Sequence, residues 1–309
     1  VMVVDRNYRC SVTKPDDFDD FWDGVLDDVN SIDLDPSMEI DPLRSNDEVD
    51  VYQVFYNSLD HVRISAWYSV PKNATGKLPA MIQLPGYQSD PPIAREWAVK
   101  GYACISVNPR GKVRSRSQFD PGYPGLLTYG IVDRNSYTYR GFYVDAWRAV
   151  DFLLGRTEVD GTRIGAVGGS QGGGLAITIA AMRKEITAAS ISAPYLCGYM
   201  DAIELTHAYP FHEINDYLHT YPERRADVER TIAYFDGISF ADKITCPVIV
   251  NVGLQDNVVP PETGYAVFNA ISSENKKFYE YDGHGHDAGK YIHGAIVDEF
   301  FATHLKRGN

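Results

Sequence analysis

The chain has 309 residues, of which 44% are hydrophobic and 23% charged, and it carries a formal net charge of −13 at pH 7. This length and composition are typical of a globular protein with one large α/β domain or two small ones. The negative charge disfavours nucleic acids and anionic membranes as partners, because both attract basic surfaces.

The apolar segments are all short. No run reaches the roughly 18 apolar residues that a membrane-spanning helix needs, and the N-terminal stretch lacks the apolar core of a signal peptide. The four cysteines, at positions 10, 104, 197 and 246, include no CxxC pair and are too few for a disulfide framework. We therefore expect a cytoplasmic protein with no membrane contact.

The first predicted elements are a helix and a β-hairpin within residues 15–71. Residues 16–30 repeat their apolar side chains with the 3.6-residue period of an amphipathic helix. The segments "EVDVYQVFYNS" and "HVRISAWYSVP" then alternate apolar and polar residues and are rich in β-branched and aromatic types. This pattern predicts an antiparallel pair of strands.

The rest of the chain alternates short apolar runs with helical patterns. The runs are "PAMIQLPG", "YACISVNPRG", "RIGAVGGS", "ITAASISAP", "PVIVNVGLQD" and the more mixed "KKFYEYDG", and helices are predicted over 143–154, 171–183, 261–271 and 290–305. Strands buried on both faces have such continuous runs. The alternation predicts an α/β fold with a mostly parallel, doubly wound sheet.

One insertion, at about residues 195–245, interrupts this alternation. It is polar, aromatic and helical in pattern, which favours a cap over the edge of the sheet where loops carry function. Repeats, low-complexity tracts and linkers are absent from the sequence, so we predict a single domain over residues 1–309 with an inserted helical cap.

The segment Gly168-Gly169-Ser170-Gln171-Gly172 matches the G-x-S-x-G motif between a predicted strand and a predicted helix. A nucleophile on such a sharp turn brings the residues two positions to either side into contact, so both must lack a Cβ atom. A glycine-rich turn with a helix-capping serine is the alternative, and the motifs of phosphate-binding loops are absent. The context favours Ser170 as a nucleophile.

A serine nucleophile requires a histidine base and a carboxylate that orients the histidine. In hydrolases with this motif the acid and then the histidine follow the serine, each in a loop after a strand. Asp256 directly follows the run "PVIVNVG" and is predicted to be the acid, although turns also favour aspartate. Asp236 and Asp242 follow no strand and lie near the cap.

The loop after the last predicted strand contains His284 and His286. We predict His286 as the base, because it lies deeper in the loop and Asp287 follows it. The segment His284-Gly285-His286-Asp287 could also bind zinc, but no second cluster of ligands accompanies it, so we expect no metal. Of the other histidines, those at 61, 293 and 304 are interpreted as surface or helix-face residues and those at 207, 212 and 219 as part of the cap.

Several of these segments together resemble the acetyl xylan esterase and cephalosporin-C deacetylase family, carbohydrate esterase family seven. They are "PDDFDDFW", "NPRGK", "FYVDAWRAVDFL", "GGSQGGG", "AYFDGISFA" and "VGLQDNVVPP", and the resemblance extends from about residue 15 to about residue 305. It implies an α/β-hydrolase fold and a serine esterase that removes acetyl groups without a cofactor or metal.

Specific residues correspond to those of the family. Ser170 corresponds to the nucleophile, Asp256 to the acid, and His286 to a histidine that glutamate follows in the family. The backbone N–H groups of Tyr87 and Gln171 correspond to the oxyanion hole, whose donors must face the developing oxyanion. The resemblance also implies a small acyl pocket, which the cap segment around Tyr209 and Pro210 would help to shape.

The chain departs from the family at two places. The family's Arg-Gly-Gln signature is Arg110-Gly111-Lys112 here, so a charge replaces an amide. The loop over residues 112–125 is shorter than in typical members, where it borders the active-site entrance and helps to build a ring-shaped hexamer. The resemblance therefore implies a homo-oligomer, and small acetylated esters as substrates. The alternatives are a broader short-chain carboxylesterase, a peptidase or lipase, and a hydrolase-fold protein without turnover.

Overall fold

The computed structural model describes residues 4–87 and 90–306, and its centre is a nine-stranded sheet. The strand order is β1-β2-β3-β5-β4-β6-β7-β8-β9. The strands are β1 (Ser37–Ile40), β2 (Val49–Asn57), β3 (Arg63–Pro71), β4 (Leu78–Leu84), β5 (Ala103–Asn108), β6 (Val159–Gly169), β7 (Ile186–Ser192), β8 (Val248–Gly253) and β9 (Lys276–Tyr281).

Strands β4 to β9 run parallel, whereas β1, β2 and β3 pair antiparallel and β3 adds antiparallel to β5. The predicted mostly parallel sheet and the predicted hairpin are therefore confirmed. The carboxyl ends of β4, β6, β7, β8 and β9 meet at one edge of the sheet, so the loops that follow them converge.

The helices lie on both faces of this sheet. They are α1 (Phe18–Asn30), α2 (Arg95–Val99), α3 (Thr138–Leu154), α4 (Gln171–Met182), α5 (Tyr199–Leu205), α6 (His212–Thr220), α7 (Arg225–Ile232), α8 (Gly237–Ala241), α9 (Pro261–Ala270) and α10 (Lys290–Leu305). Helices α3 and α4 pack on one face in the main hydrophobic core, whereas α2 and α10 cover a smaller core on the other face. Helices α5 to α8 all lie between β7 and β8, where the insertion was predicted.

The N-terminal helix α1 is joined to the rest of the fold by Trp22. This side chain is fully buried, its ring lies 5.0 Å from that of Trp147 on α3, and its Nε1–H donates to the carbonyl oxygen of Tyr234 at 2.9 Å. An aromatic pair of this kind adds to the stability that burial of the two rings provides. Helix α1 therefore packs against both the sheet-covering layer and the cap insertion.

One predicted helix boundary was wrong, and two short elements were not predicted. Helix α3 begins at Thr138 rather than Tyr143, because Gly141 lowers the helical signal; a Cβ there would lie 2.1 Å from the Arg110 guanidinium. Strand β1 and helix α2 were not predicted, since β1 is exposed throughout and α2 has only five residues.

His293 lies on helix α10 but faces inward rather than the surface. It is 3% exposed, its Nδ1 lies 2.8 Å from the Tyr281 hydroxyl, and burial lowers its pKa to about 4. The outward faces of a short periodic segment cannot be told from its inward faces when the neighbouring elements are unknown.

Among the described residues, no helix combines the length and apolar character required to cross a membrane.

Candidate active site

Ser170 lies at the sharp turn between β6 and α4. Its backbone has φ 56° and ψ −122°, a conformation that costs a non-glycine residue energy and is found mainly where function requires it. A Cβ added at Gly168 would lie 2.3 Å from the carbonyl oxygen of Gly172, and one at Gly172 would lie 2.4 Å from that of Leu84. The two flanking glycines are therefore required for the turn, which has the geometry of a nucleophile elbow.

The turn also excludes the alternative role of Ser170 as a helix cap, because its side chain makes no capping hydrogen bond to α4. Its backbone is held on both sides instead. The N–H of Ser170 donates to the Ser192 carbonyl at 2.9 Å, and the Ser170 carbonyl accepts from Gly174 and Tyr195 at 3.1 Å each. These bonds fix the backbone of Ser170, and its hydroxyl, which does not cap the helix, is available to a bound substrate.

Asp256 and His286 form a hydrogen-bonded pair at the carboxyl ends of β8 and β9. Asp256 Oδ2 lies 2.8 Å from His286 Nδ1, while Asp256 Oδ1 accepts from the backbone N–H groups of Val258 and Val259 at 2.9 and 3.0 Å. The carboxylate is almost fully buried and the histidine side chain is 33% exposed. A carboxylate bound to Nδ1 fixes the imidazole orientation and leaves Nε2 available for proton transfer.

His284, the other histidine of this loop, has a different partner. Its Nδ1 lies 2.7 Å from Asp287 Oδ2, and both side chains are accessible to solvent. Asp287 therefore pairs with His284 and not with the histidine that it follows in the sequence. Among residues 4–87 and 90–306, no group of three or more histidine, cysteine, aspartate or glutamate side chains could hold a metal ion.

Ser170 and His286 line the same cavity, which has a volume of about 890 Å³. Cavities of this size are typical of small-molecule sites. The wall also includes Tyr87 and the two cap residues predicted for the acyl pocket, Tyr209 and Pro210. The structure thus brings Tyr87, Ser170 and His286 of the main fold and the two cap residues to one cavity.

One predicted oxyanion donor lies at the start of α4 and the other lies in the loop after β4, beside this cavity. Gln171 is the first residue of α4, a position whose backbone N–H has no acceptor within the helix. Tyr87 follows β4 and its backbone N–H belongs to the same peptide as the Gly86 carbonyl. That carbonyl accepts from Lys112 Nζ at 2.8 Å and from Gln171 Nε2 at 3.2 Å. Both donors on the carbonyl oxygen restrict rotation of the peptide.

The side chain of Tyr87 is fixed by the cap. Its hydroxyl donates to Glu213 Oε2 at 2.6 Å, and Glu213 Oε1 accepts from the backbone N–H groups of Leu127 and Thr128 and from the Thr128 hydroxyl. Burial and the nearby carboxylate raise the pKa of Tyr87 above its usual value, so the phenol remains a donor. Helix α6 of the cap therefore holds the loop that carries a predicted oxyanion donor.

The two predicted acyl-pocket residues lie just before helix α6, which begins at His212. Tyr209 is partly exposed, its hydroxyl donates to Asp216, and a cis peptide joins it to Pro210. Both residues line the cavity, whose wall also includes His286 from the loop after β9. The cavity wall is therefore formed by both the cap and the main fold.

Two supporting residues were not identified from the sequence as part of the site. Lys112 was noted only as a departure from a family signature, and Glu213 only as a charge on the cap. Each contacts residues that are distant in the sequence, so no sequence spacing indicates that it belongs to the site. The buried state of both, at 6% and 4% exposure, distinguishes them from ordinary surface charges.

Comparison with known proteins identifies the relatives of this chain. Residues 4–304 match the family model described as acetyl xylan esterase (AXE1). The acetyl esterase Axe7A of Xylanibacter ruminicola is 30% identical over 84% of the chain. The chain spans 61% of the length of this curated relative. The family resemblance predicted from the sequence is therefore confirmed.

Solved structures agree with this assignment. The acetyl xylan esterase from Paenibacillus sp. R4 superimposes with a TM-score of 0.89 at 32% identity, covering 97% of this chain and 98% of its own. Acetyl Xylan Esterase 1 from Thermoanaerobacterium sp. JW/SL YS485 also gives a TM-score of 0.89, at 27% identity and 96% coverage of both chains. The predicted α/β-hydrolase fold is confirmed.

Proposed function

The chain belongs to the acetyl xylan esterase family, and we propose that it is a serine esterase that removes acetyl groups from acetylated xylo-oligosaccharides, cephalosporin C or both. The observation that carries this proposal is the presence of Ser170, on its strained turn, and of the hydrogen-bonded His286–Asp256 pair at one cavity. An acyl transfer needs this combination of nucleophile, base and orienting acid.

In the first step, Ser170 Oγ attacks the acetyl carbonyl carbon while His286 Nε2 accepts the hydroxyl proton. Asp256, bonded to Nδ1, stabilises the resulting imidazolium. The former carbonyl oxygen becomes an oxyanion, which accepts from the backbone N–H groups of Tyr87 and Gln171. Collapse of this tetrahedral species breaks the bond to the alcohol oxygen, which leaves with the proton from His286.

The acetyl group then remains on Ser170 until water replaces the alcohol. His286 accepts a proton from the attacking water, a second tetrahedral species forms in the same oxyanion site, and its collapse releases acetic acid as Ser170 recovers its proton from His286. The acetic acid then loses its proton to solvent, and His286 makes each proton transfer at the reacting centre. The mechanism therefore needs no cofactor.

The substrate preference rests on the family and on the cap residues at the cavity. Tyr209 and Pro210 line the cavity on the cap side and are the proposed boundary of a small acyl pocket. The alcohol portion would occupy the larger remainder of the cavity and its mouth. A broader short-chain carboxylesterase with non-carbohydrate substrates would share the same catalytic residues.

A panel of p-nitrophenyl esters from acetate to decanoate, together with acetylated xylo-oligosaccharides and cephalosporin C, tests this proposal. We expect kcat/KM for acetate to exceed that for octanoate by at least about tenfold, since each misfitting methylene in a closed pocket costs roughly 1–3 kcal/mol. Higher kcat/KM for longer acyl chains would contradict the proposal. High activity on aryl acetates with none on acetylated sugars would favour the non-carbohydrate alternative.

Two cap variants locate the acyl pocket. Tyr209→Ala removes a ring from the cavity wall, and we expect it to raise the octanoate-to-acetate ratio of kcat/KM. Tyr221→Ala is the matched control, because Tyr221 is a cap tyrosine of similar exposure, 38% against 41%, that lies outside the cavity wall. Equal ratios in both variants would show that Tyr209 does not limit the acyl chain.

A further inference from the structure

The carbonyl oxygen of Gly86 and the N–H group of Tyr87 belong to the same peptide group. Two side chains donate hydrogen bonds to the oxygen, and the N–H group is a predicted donor of the oxyanion hole. In a planar trans peptide the carbonyl oxygen and the following N–H point in opposite directions. Lys112 Nζ and Gln171 Nε2, which hold the Gly86 oxygen at 2.8 and 3.2 Å, therefore also fix the direction of the Tyr87 N–H.

The Gln171 side chain is itself held in place. Its Oε1 accepts from the Tyr139 hydroxyl at 2.7 Å, and Gln171 is fully buried. With its oxygen bound to Tyr139, the amide presents its nitrogen to Gly86. One of the two donors on this carbonyl is thus a neutral amide in a fixed orientation.

Lys112 is the second donor, and unlike Gln171 it has a side chain that can carry a charge. It is only 6% exposed, its Nζ bonds a carbonyl oxygen rather than a carboxylate, and it lies 5.5 Å from the centre of the Tyr87 ring. Placing a lysine in such surroundings costs desolvation energy. The Gly86 carbonyl oxygen already accepts a hydrogen bond from Gln171, and an uncharged donor could supply the second one. The presence of a lysine at this position therefore requires an explanation.

The backbone that presents Lys112 is rigidly held. Arg110, two residues earlier, donates from its Nε and Nη2 to the buried Asp145 carboxylate at 2.9 and 3.0 Å. The Lys112 carbonyl accepts from the Ser115 N–H at 2.7 Å. The ammonium group is therefore directed at Gly86 by fixed structure on both sides of the lysine.

We propose that Lys112 is a positioning residue of the oxyanion hole, whose ammonium group orients and polarises the Gly86–Tyr87 peptide so that the Tyr87 N–H faces the developing oxyanion. A cation at the carbonyl oxygen draws electron density from the peptide nitrogen, which makes its N–H a stronger donor, as in other polarised hydrogen-bond chains. This inference rests on the proposed esterase function.

The electrostatic surroundings of Lys112 make this contribution sensitive to pH. Burial, and secondarily the nearby Arg116, lower its pKa to about 7, and Asp90 opposes this shift. The group is an ammonium below that pH and a neutral amine above it. The neutral amine can still donate a hydrogen bond to Gly86 but no longer polarises the peptide, so the contribution decreases as pH rises through neutrality.

Comparison of the parent with Lys112→Met and Lys112→Gln tests the inference. With p-nitrophenyl acetate at pH 6, we expect Lys112→Met to lower kcat about tenfold or more with KM nearly unchanged, which is less than the 10²–10³-fold cost of deleting an oxyanion donor. Lys112→Gln supplies an uncharged donor and should recover part of kcat.

The decisive readout is the ratio of the kcat of the parent to that of each variant between pH 6 and 9. We expect the ratio to decrease severalfold across neutrality, whereas a purely structural role of Lys112 gives a constant ratio. A constant ratio, or Lys112→Met with the parent kcat at every pH, would overturn the inference.

Two further variants complete the experiment. Arg116→Gln removes an exposed neighbouring charge and should move the alkaline decrease of the parent to higher pH with little effect on kcat at pH 6. Ser170→Ala, measured alongside, separates the two claims: if it is active, the proposed function fails. If it is inactive while Lys112→Met behaves as the parent, only the role of Lys112 fails. Should Lys112→Met not fold, as judged by circular dichroism, the ratio for Lys112→Gln decides.

Discussion

At the scale of single residues, the two histidines of the last loop differ in the partner that each contacts. His286 bonds the buried Asp256, whose other oxygen is held by two backbone N–H groups. His284 bonds the exposed Asp287. An exposed ion pair contributes little to stability, whereas a buried carboxylate held by backbone donors orients an imidazole for proton transfer.

Substitution of each histidine by alanine tests this distinction. We expect His286→Ala to lower kcat by on the order of 10⁴ or more, because removal of one member of a triad removes the function of the whole unit. His284→Ala is the matched control from the same loop and should keep a substantial fraction of kcat. The reverse order of activities would show that His284 is the base, and equal losses would show that the exposed pair is also required.

The residues of the candidate site could be predicted from the sequence where a local motif or a position directly after a strand indicates them. Ser170 was found from its flanking glycines and Asp256 from its position after a strand, and the two lie where such residues should. The roles of Lys112 and Glu213 could not be predicted, because each depends on a contact with the Tyr87 loop that only the folded chain creates.

At the scale of elements, Asp236 joins the cap to the main fold. Its carboxylate accepts from the backbone N–H groups of Gly198 and Tyr199, at the start of α5, and from Ile238 in the first turn of α8, at 2.9–3.0 Å. The side chain is fully buried, and burial raises its pKa to about 6 despite these three donors. One carboxylate thus holds the ends of two cap helices together.

Removal of this carboxylate should destabilise the fold. We expect Asp236→Ala to lower the free energy of unfolding by at least about 3 kcal/mol, because each buried donor left without an acceptor costs roughly 1–3 kcal/mol. Asp242→Ala, which removes an exposed aspartate paired with Lys14, should change it by no more than about 1 kcal/mol. Urea unfolding measures both, and equal effects would contradict the role assigned to Asp236.

The two C-terminal helices were predicted closely, whereas the shortest elements were missed. The predicted ranges 261–271 and 290–305 correspond to helices α9 and α10 within one residue at each end. Strand β1 has only four residues and none of them is buried, so the segment was not recognised as a strand. The contacts among cap helices were also beyond prediction, since they depend on long-range partners such as Asp236.

At the scale of the whole molecule, the cavity is assembled from four distant parts of the chain. The first half of the sheet contributes Tyr87, the central elbow contributes Ser170, the C-terminal loop contributes His286, and the cap contributes Tyr209. The sequence pattern predicted a parallel sheet but not that β3 would add antiparallel to β5. The homo-oligomer implied by the family resemblance, a ring-shaped hexamer, stays a prediction.

The central claim is that this assembled cavity performs ester hydrolysis through Ser170, and the rate of Ser170→Ala with p-nitrophenyl acetate and acetylated xylo-oligosaccharides tests it most directly. We predict a decrease in kcat on the order of 10⁴ to 10⁶, as for other triad deletions, with an unchanged circular dichroism spectrum. Mass spectrometry of the parent, quenched during turnover, should place the acetyl group on Ser170. Activity of Ser170→Ala within tenfold of the parent, or acetyl found only on another residue, would contradict the account.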